Sequence, residues 1–127
     1  MKKVKYLVTL LAVIFLIACS GSDTYRGDWK ATNVDGEQYN LTFKAKSFTV
    51  TNTAGEVTNY NYTQNSVNIK NSVETYGLNL EDGRKYQLNF PLADDESVGL
   101  LLDSNGKVLY AISRDNYITY DDIFALD

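Results

Sequence analysis

Residues 38–51 read QYNLTFKAKSFTVT, and this stretch decides the fold because apolar and polar residues alternate in it twice. Its alternating apolar members are Tyr39, Leu41, Phe43, Phe48 and Val50. A period of two places such residues on one face of a pleated strand. Between the two runs, Ala45-Lys46-Ser47 predicts a turn, so the stretch predicts two neighbouring antiparallel strands.

The same alternation continues along the chain on both sides of this stretch. The further apolar sets are Tyr60 and Tyr62; Val67 and Ile69; Tyr76, Leu78 and Leu80; Tyr86, Leu88 and Phe90; Val98, Leu100 and Leu102; and Val108, Tyr110 and Ile112. The turn signals are Val34-Asp35-Gly36, Thr53-Ala54-Gly55, Gln64-Asn65, Glu81-Asp82-Gly83 and Asp103-Ser104-Asn105-Gly106. Short connections favour antiparallel neighbours, and closure removes the exposed edges of a long meander.

We therefore predict an all-β fold, an antiparallel meander of eight to nine strands between Arg26 and Ser113, closed on itself as a barrel. Two packed sheets would satisfy the same pattern. After these strands, Tyr117, Tyr120 and Phe124 have helix-like spacing. This spacing predicts either a short C-terminal helix or a last strand.

The first eighteen residues have the pattern of a secretory signal. Three lysines precede residues 7–18, LVTLLAVIFLIA, which are apolar apart from Thr9. A helix of this length spans roughly 18 Å at ~1.5 Å per residue, short of the ~30 Å hydrocarbon core of a bilayer. We predict a cleaved signal peptide over residues 1–18 rather than a membrane-spanning helix or a buried core helix.

The end of this signal, Leu16-Ile17-Ala18-Cys19, resembles the lipobox of bacterial lipoproteins. The resemblance implies cleavage before Cys19, diacylglycerol on its sulfur, and a further fatty acid such as palmitate on the new amino group. It implies a lipid anchor in the cell envelope, with the outer membrane favoured because Ser20 replaces the Asp that retains such proteins at the inner membrane. Residues 19–24 would form the lipidated tether and residues 25–127 the barrel domain. The alternative is an ordinary secreted protein with a spare thiol.

Composition excludes several classes of chemistry. The chain of 127 residues has no His and one Cys, so it has no Ser-His-Asp catalysis, no His-ligated metal and no internal disulfide. Its formal net charge is −4, and loss of the three signal lysines leaves nine basic against 16 acidic side chains, a net charge of −7. This balance argues against a nucleic-acid partner, which requires a basic face. We expect no cofactor and no metal.

Two acidic motifs are candidate sites of chemistry. Asp94-Asp95-Glu96 lies in the longest polar loop, where a solvated surface is the simpler interpretation than general acid–base catalysis. Asp103-x-Asn105-Gly106 opens like a calcium loop, but Lys107 and Arg114 stand where the fifth and twelfth positions need ligands. A hairpin turn explains this motif better, and we predict that the protein is not an enzyme.

Gly27-Asp28-Trp29 opens the first predicted strand and resembles the Gly-x-Trp motif of lipocalins and small bacterial lipocalin-like lipoproteins. The resemblance covers roughly residues 25–114. It implies an eight-stranded barrel with Trp29 packed across its closed end and an Arg of the last strand lying over the ring. Arg114 has the required position and could make a cation–π contact there.

Tyrosine is abundant in the predicted mature chain, with nine residues after the signal. A dry core disfavours the phenol because a buried hydroxyl needs a partner, so inward-facing tyrosines suggest a wet interior or a contact surface. The residues that we predict as the lining of a ligand site are Tyr39, Phe43, Tyr60, Tyr62, Tyr76, Tyr86 and Tyr110. The alternative is a set of rings at the barrel rims with their hydroxyls in solvent.

The expected function is therefore a lipid-anchored envelope protein that binds a small apolar or amphipathic ligand inside a lipocalin-like barrel. The alternative is an accessory subunit of an envelope assembly, or a periplasmic inhibitor of a basic hydrolase such as a lysozyme, which the acidic balance would suit. An interior cavity larger than ~300 Å³ would favour the ligand, and a filled interior would favour the protein partner.

Overall fold

The computed structural model describes residues 21–125, with side chains as far as residue 123, so the predicted signal peptide and Cys19 lie outside the described residues. Eight strands and one helix follow one another along the chain. They are β1 (Gly27–Thr32), β2 (Gln38–Phe43), β3 (Ser47–Thr51), β4 (Val57–Lys70), β5 (Val73–Leu80), β6 (Lys85–Phe90), β7 (Val98–Asp103), β8 (Val108–Ser113) and α1 (Tyr120–Ala125).

The eight strands form one closed barrel in which every strand is antiparallel to its neighbour in the chain. β8 pairs with β1 to close it, through residues 30–32 and 111–113. The predicted antiparallel meander and its closure are confirmed, with eight strands rather than nine. This seam has only three residue pairs, against eight between β4 and β5, so contacts outside the ladder must help to hold it.

β4 corrects a predicted boundary. Gln64-Asn65 was expected to be a turn between two strands, but the strand runs through it with a shift of register between Gln64 and Ser66. Such a shift is a β-bulge, which inserts one extra residue and bends the strand. The turn lies instead at Asn71-Ser72, whose φ angles of 54° and 63° are those that tight two-residue hairpins require.

β7 departs from the simple alternation because it is apolar on both faces. Leu101 faces the barrel interior, whereas Val98 and Leu100 face outward and are buried beneath Ile118 and Ile123 of the C-terminal segment. The short C-terminal helix is thus confirmed, and the segment that leads into it covers the outside of β7 and β8. Ile118 and Ile123 are the residues that hold this segment against the barrel. Tyr120, which the helical spacing singled out, is instead 46% exposed.

The barrel interior is filled by aromatic and aliphatic side chains. A column of rings runs from Tyr25 through Phe43 and Phe48 to Tyr60, with ring centroids 5.0–5.4 Å apart at each step. Leu41, Leu78, Leu88, Leu101 and Ile112 also belong to this core and are fully buried. The side chains of this core therefore occupy the interior of the barrel.

Within residues 21–125, no helix has both the length and the apolar character that crossing a membrane requires.

Candidate functional site: the two ends of the barrel

Trp29 and Arg114 close one end of the barrel, which we call the closed end. The Arg114 guanidinium carbon lies 3.7 Å from the centre of the Trp29 ring, which is the contact that the sequence resemblance implied. Its terminal nitrogens donate to the main-chain carbonyls of Thr24 (3.3 Å), Arg26 (2.9 Å) and Asp28 (3.0 Å). Because Arg114 follows β8 and these acceptors lie at the start of β1, the side chain bridges the short seam.

Gly27 allows this arrangement in two ways. Its φ of +103° is a conformation that side-chain-bearing residues rarely adopt, and a Cβ there would lie 3.2 Å from Arg114 Nη1. Trp29 is held from the other side, because its Nε1 donates to the carbonyl of Tyr25 at 2.8 Å. The three motif residues, Gly27, Trp29 and Arg114, are therefore structural in this barrel.

Three of the predicted ligand-lining residues, Phe43, Tyr62 and Tyr76, lie in the core of the closed end, with exposed fractions of 1%, 3% and 4%. Tyr25 joins them, with its ring centroid 5.4 Å from that of Phe43 and 5.0 Å from that of Tyr76. Their phenols have protein partners. The Tyr25 hydroxyl donates to Gln64 Oε1 at 2.7 Å, and the Tyr62 hydroxyl donates to the main-chain carbonyl of residue 44 at 2.6 Å. Burial raises the pKa of Tyr25, Tyr62 and Tyr76. These residues fill the end of the barrel, so we do not assign them to a ligand.

Residues 21–24, predicted as most of a tether, are attached to the closed end. The Gly21 N–H donates to the carbonyl of Ala45 at 2.7 Å, and the Ser22 N–H donates to Gln64 Oε1 at 3.0 Å. Gly21 is buried, and a Cβ at this position would overlap the hydroxyl of Tyr62. Gly21 and Ser22 are therefore part of the folded body.

The other four predicted residues, Tyr39, Tyr60, Tyr86 and Tyr110, gather at the opposite end, which we call the tyrosine mouth. Each is half-buried and packs against the core with its ring. Tyr39 and Tyr110 meet edge to face, with centroids 5.3 Å apart. The structure thus divides the seven predicted residues into a core set and a mouth set.

Arg84 belongs to the tyrosine mouth although sequence analysis did not select it. Its guanidinium carbon lies 5.2 Å from the ring centre of Tyr60 and 5.6 Å from that of Tyr86, and its Nη1 donates to the Tyr86 hydroxyl at 2.9 Å. Asp82 orients it by accepting hydrogen bonds from Nε at 2.9 Å and Nη2 at 2.6 Å. The signal was present in the sequence, since Arg84 stands two positions before Tyr86 in the alternating run.

The electrostatics of the mouth follow from this geometry. Burial raises the pKa of Tyr110 to about 12, and the nearby phenols of Tyr39, Tyr60 and Tyr86 add to the effect. Hydrogen bonds from Arg84 hold the pKa of Asp82 below its usual range. At neutral pH the mouth therefore presents the neutral phenols of Tyr86 and Tyr110 beside one oriented ion pair, a set that offers both donors and acceptors.

Four hairpins fix the rim of the mouth, at residues 33–37, 52–56, 81–84 and 104–107. Three share one construction, in which Asn33, Asn52 or Asp103 accepts with its side-chain oxygen from the N–H groups two and four residues later, at 2.9–3.0 Å. This use of Asp103 supports the hairpin interpretation of Asp103-x-Asn105-Gly106. Within the part of the chain that the structure describes, no group of three or more acidic or thiol side chains could hold a metal ion.

Charge is uneven around this rim. The acidic residues in or beside the four hairpins are Asp35, Glu37, Glu56, Glu81, Asp82 and Asp103. The basic ones are Arg84, Lys85 and Lys107. The acidic excess gives the mouth a negative potential that would attract a basic partner.

The acidic loop 94–96 lies elsewhere, beside β5. Asp95 accepts from the N–H of Ser97 at 3.0 Å and from its hydroxyl, and these bonds lower the pKa of Asp95. Glu96 approaches Glu74, and its partial desolvation together with that carboxylate raises the pKa of Glu96. These carboxylates cap a loop and are far from the tyrosine mouth in the fold.

A groove of about 570 Å³ lies outside the barrel, between the first hairpin, β8 and the start of α1. Its lining includes Thr32, Val34, Val108 and Ala111. It is an open surface groove, and only residues 119–121 of its lining come from the segment that covers the outer face of the barrel.

Comparisons of this chain with protein-family models, with curated proteins and with solved structures found no match. The lipocalin and lipobox resemblances therefore stay predictions from the sequence.

Proposed function

We propose that this protein is a lipid-anchored, non-enzymatic component of the bacterial cell envelope that recognises a basic protein partner with its tyrosine mouth. The anchor is the lipid on Cys19, and the outer membrane is the proposed location because Ser20 follows the modified residue. No catalytic step is assigned to it. The observation that carries the proposal is the gathering of four half-buried tyrosines and Arg84 at one end of a filled barrel.

The chemistry of the mouth favours a protein partner over a ligand enclosed in the barrel. Tyr and Arg are the residues that most often dominate binding energy at protein interfaces, because they offer large contact areas together with hydrogen bonds. The core rings occupy the interior that a ligand would need. The acidic rim supplies attraction for a basic surface, and a secreted basic hydrolase such as a lysozyme is the partner class that this charge suits.

The test is binding of the purified lipidated protein, in detergent, to a basic lysozyme, measured by calorimetry and by inhibition of cell-wall lysis. We expect Tyr60→Ala and Arg84→Ala to weaken binding at least about tenfold each, as hot-spot truncations do. We also expect binding to weaken as salt rises. Ile69→Ser is the matched control, since Ile69 is exposed at the far end of β4. Absence of binding, or an equal loss in the control, would contradict this partner class.

A small amphipathic ligand is the second candidate, and Tyr110 is the observation that favours it. Its ring is half-buried against the core while neighbouring phenols surround its hydroxyl, so a short apolar group could pack there with a polar head at the rim. Native mass spectrometry of protein purified from membranes should then show one bound molecule, which Tyr110→Ala removes. A mass that corresponds to the lipidated chain alone would count against this candidate.

A further inference from the structure

The position at which the chain joins the barrel restricts where a lipid on Cys19 can be. Gly21 is buried at the closed end and bonded to Ala45, and Ser22 is bonded to Gln64. Cys19 is two positions before Gly21 in the sequence, and two extended residues span at most ~7 Å. A lipid on Cys19 would therefore be attached to the barrel through Gly21, at the closed end.

β4 continues from this point as an unusually long strand. Its ladder with β3 ends at Asn61, and it extends nine further residues to Lys70. Within the described chain, residues 63–70 pair with β5 alone. Val67 and Ile69 on this extension are 52% and 64% exposed and lie two positions apart, so they point to the same side.

Charges of both signs lie at the closed end. Exposed Lys44 and Lys46 lie in the turn that holds Gly21, and exposed Lys70 ends the extension. The acidic loop 94–96 lies at the same end, where it contacts Ser72 and Glu74, and Glu74 is the cross-strand partner of Ile69. The three exposed lysines would favour anionic lipid headgroups.

We propose that the closed end rests on the lipid bilayer, with Val67 and Ile69 of the β4 extension inserted at the boundary between headgroups and acyl chains. The tyrosine mouth then faces away from the membrane, toward its partner. This inference rests on the proposed lipid anchor. The bilayer is the occupant that we assign to this surface, because the attachment point, the two exposed aliphatic residues and the lysines all lie on it.

Fluorescence of the full lipidated chain in vesicles tests the orientation. A single cysteine is introduced at Ile69 or at Val57, and each is labelled with a nitrobenzoxadiazole fluorophore; lipid on Cys19 leaves the new thiol as the only free one. Val57 is the matched control because it is a 62% exposed aliphatic residue at the other end of the same strand, roughly 40 Å away along it. The vesicles contain phosphatidylcholine and phosphatidylglycerol, with or without a nitroxide on the acyl chains.

We expect the label at residue 69 to shift its emission to the blue and to lose about half of its intensity to the nitroxide lipid, as a group at the acyl boundary would. The label at residue 57 should show neither change. Equal exposure to water at both positions, in protein that carries the lipid and floats with the vesicles, would overturn the orientation. The unpaired edge of β4 would then be a site for pairing with a strand of another protein. Protein without lipid by intact mass, which does not float, would overturn the anchor and the orientation together.

Discussion

The two ends of the barrel use the same kind of side chain for different purposes. At the closed end, Tyr25, Tyr62 and Tyr76 are buried and their hydroxyls bond to protein groups. At the mouth, the tyrosines are half-buried, with their rings against the core and their hydroxyls at the rim. An aromatic ring with one polar atom suits both roles, and the environment decides between them.

The two ends also differ in the sequence separation of the residues that bond to each other. Arg114 reaches residues 86–90 positions away, and Tyr25 reaches Gln64 across 39 positions. The hairpins of the mouth are held by bonds between residues two to four positions apart. The closed end therefore depends on the finished barrel, whereas each part of the rim can form locally. The comparison predicts that stability is concentrated at one end and binding at the other.

The largest effect should come from Trp29→Ala. Trp29 is 1% exposed and contacts Phe90 and Arg114, so its removal leaves a cavity at the closed end and a guanidinium without its ring. We expect a loss of about 3–5 kcal/mol in the free energy of unfolding, measured by urea denaturation. Tyr60→Ala at the mouth should cost only about 1 kcal/mol. Similar losses for both variants would show that the ends do not differ.

Arg114→Met should have the next largest effect. The methionine keeps an apolar stem over Trp29 but leaves the carbonyls of Thr24, Arg26 and Asp28 without their donor at the seam. We expect a loss of about 2–3 kcal/mol, the range for bonds to a charged group. Arg84→Met is the control, since Arg84 is exposed in a surface ion pair that contributes about 0–1 kcal/mol. The comparison fails if Arg84→Met loses as much free energy of unfolding as Arg114→Met does.

High pH should weaken the fold through Tyr25, Tyr62 and Tyr76 at the closed end and through Tyr86 and Tyr110 at the mouth. Their folded-state pKa values are raised, that of Tyr110 from 10.0 to about 12, so the folded chain holds its phenolic protons more tightly than the unfolded chain does. The resulting stability is complete below pH 10 and is lost as the pH rises toward 12, because only the unfolded chain ionises in that interval. Denaturation midpoints measured across this interval should fall.

Tyr110→Phe removes one of these groups and sharpens the measurement. Without the phenol of residue 110, the decline of stability with pH should become less steep. Tyr120→Phe is the control, because Tyr120 is 46% exposed and lies on the C-terminal helix, outside the mouth. An unchanged slope in Tyr110→Phe would contradict the assignment of this pKa to the mouth.

Sequence alternation identified the strands of the meander and most hairpins, because these features follow from neighbouring residues. Closure was predicted on a different ground, the exposed edges that an open meander would leave. It did not locate the bulge at Gln64–Ser66, since a bulge preserves the strand while breaking its period. It also could not separate Tyr62 from Tyr60, which share one inward face and differ only in their level along the barrel. That level depends on strand stagger, which arises only when the barrel closes. The roles of Arg84 and Gln64 arise from the same long-range geometry.

The smallest effect should come from the rim, where Asn52→Ala removes two hydrogen bonds from its hairpin. The loss should be about 1 kcal/mol, the usual net contribution of such bonds. Asn52→Asp should be nearly neutral, because Asp103 makes the same two bonds with a carboxylate in the corresponding hairpin. The free energy of unfolding is measured by urea denaturation for both variants and for Asp103→Asn. These measurements show whether the hairpins require the two hydrogen bonds or the charge of the side chain that accepts them. If Asn52→Asp were as damaging as Asn52→Ala, electrostatics rather than hydrogen bonding would shape the rim, and the acidic excess of the mouth would already limit its stability.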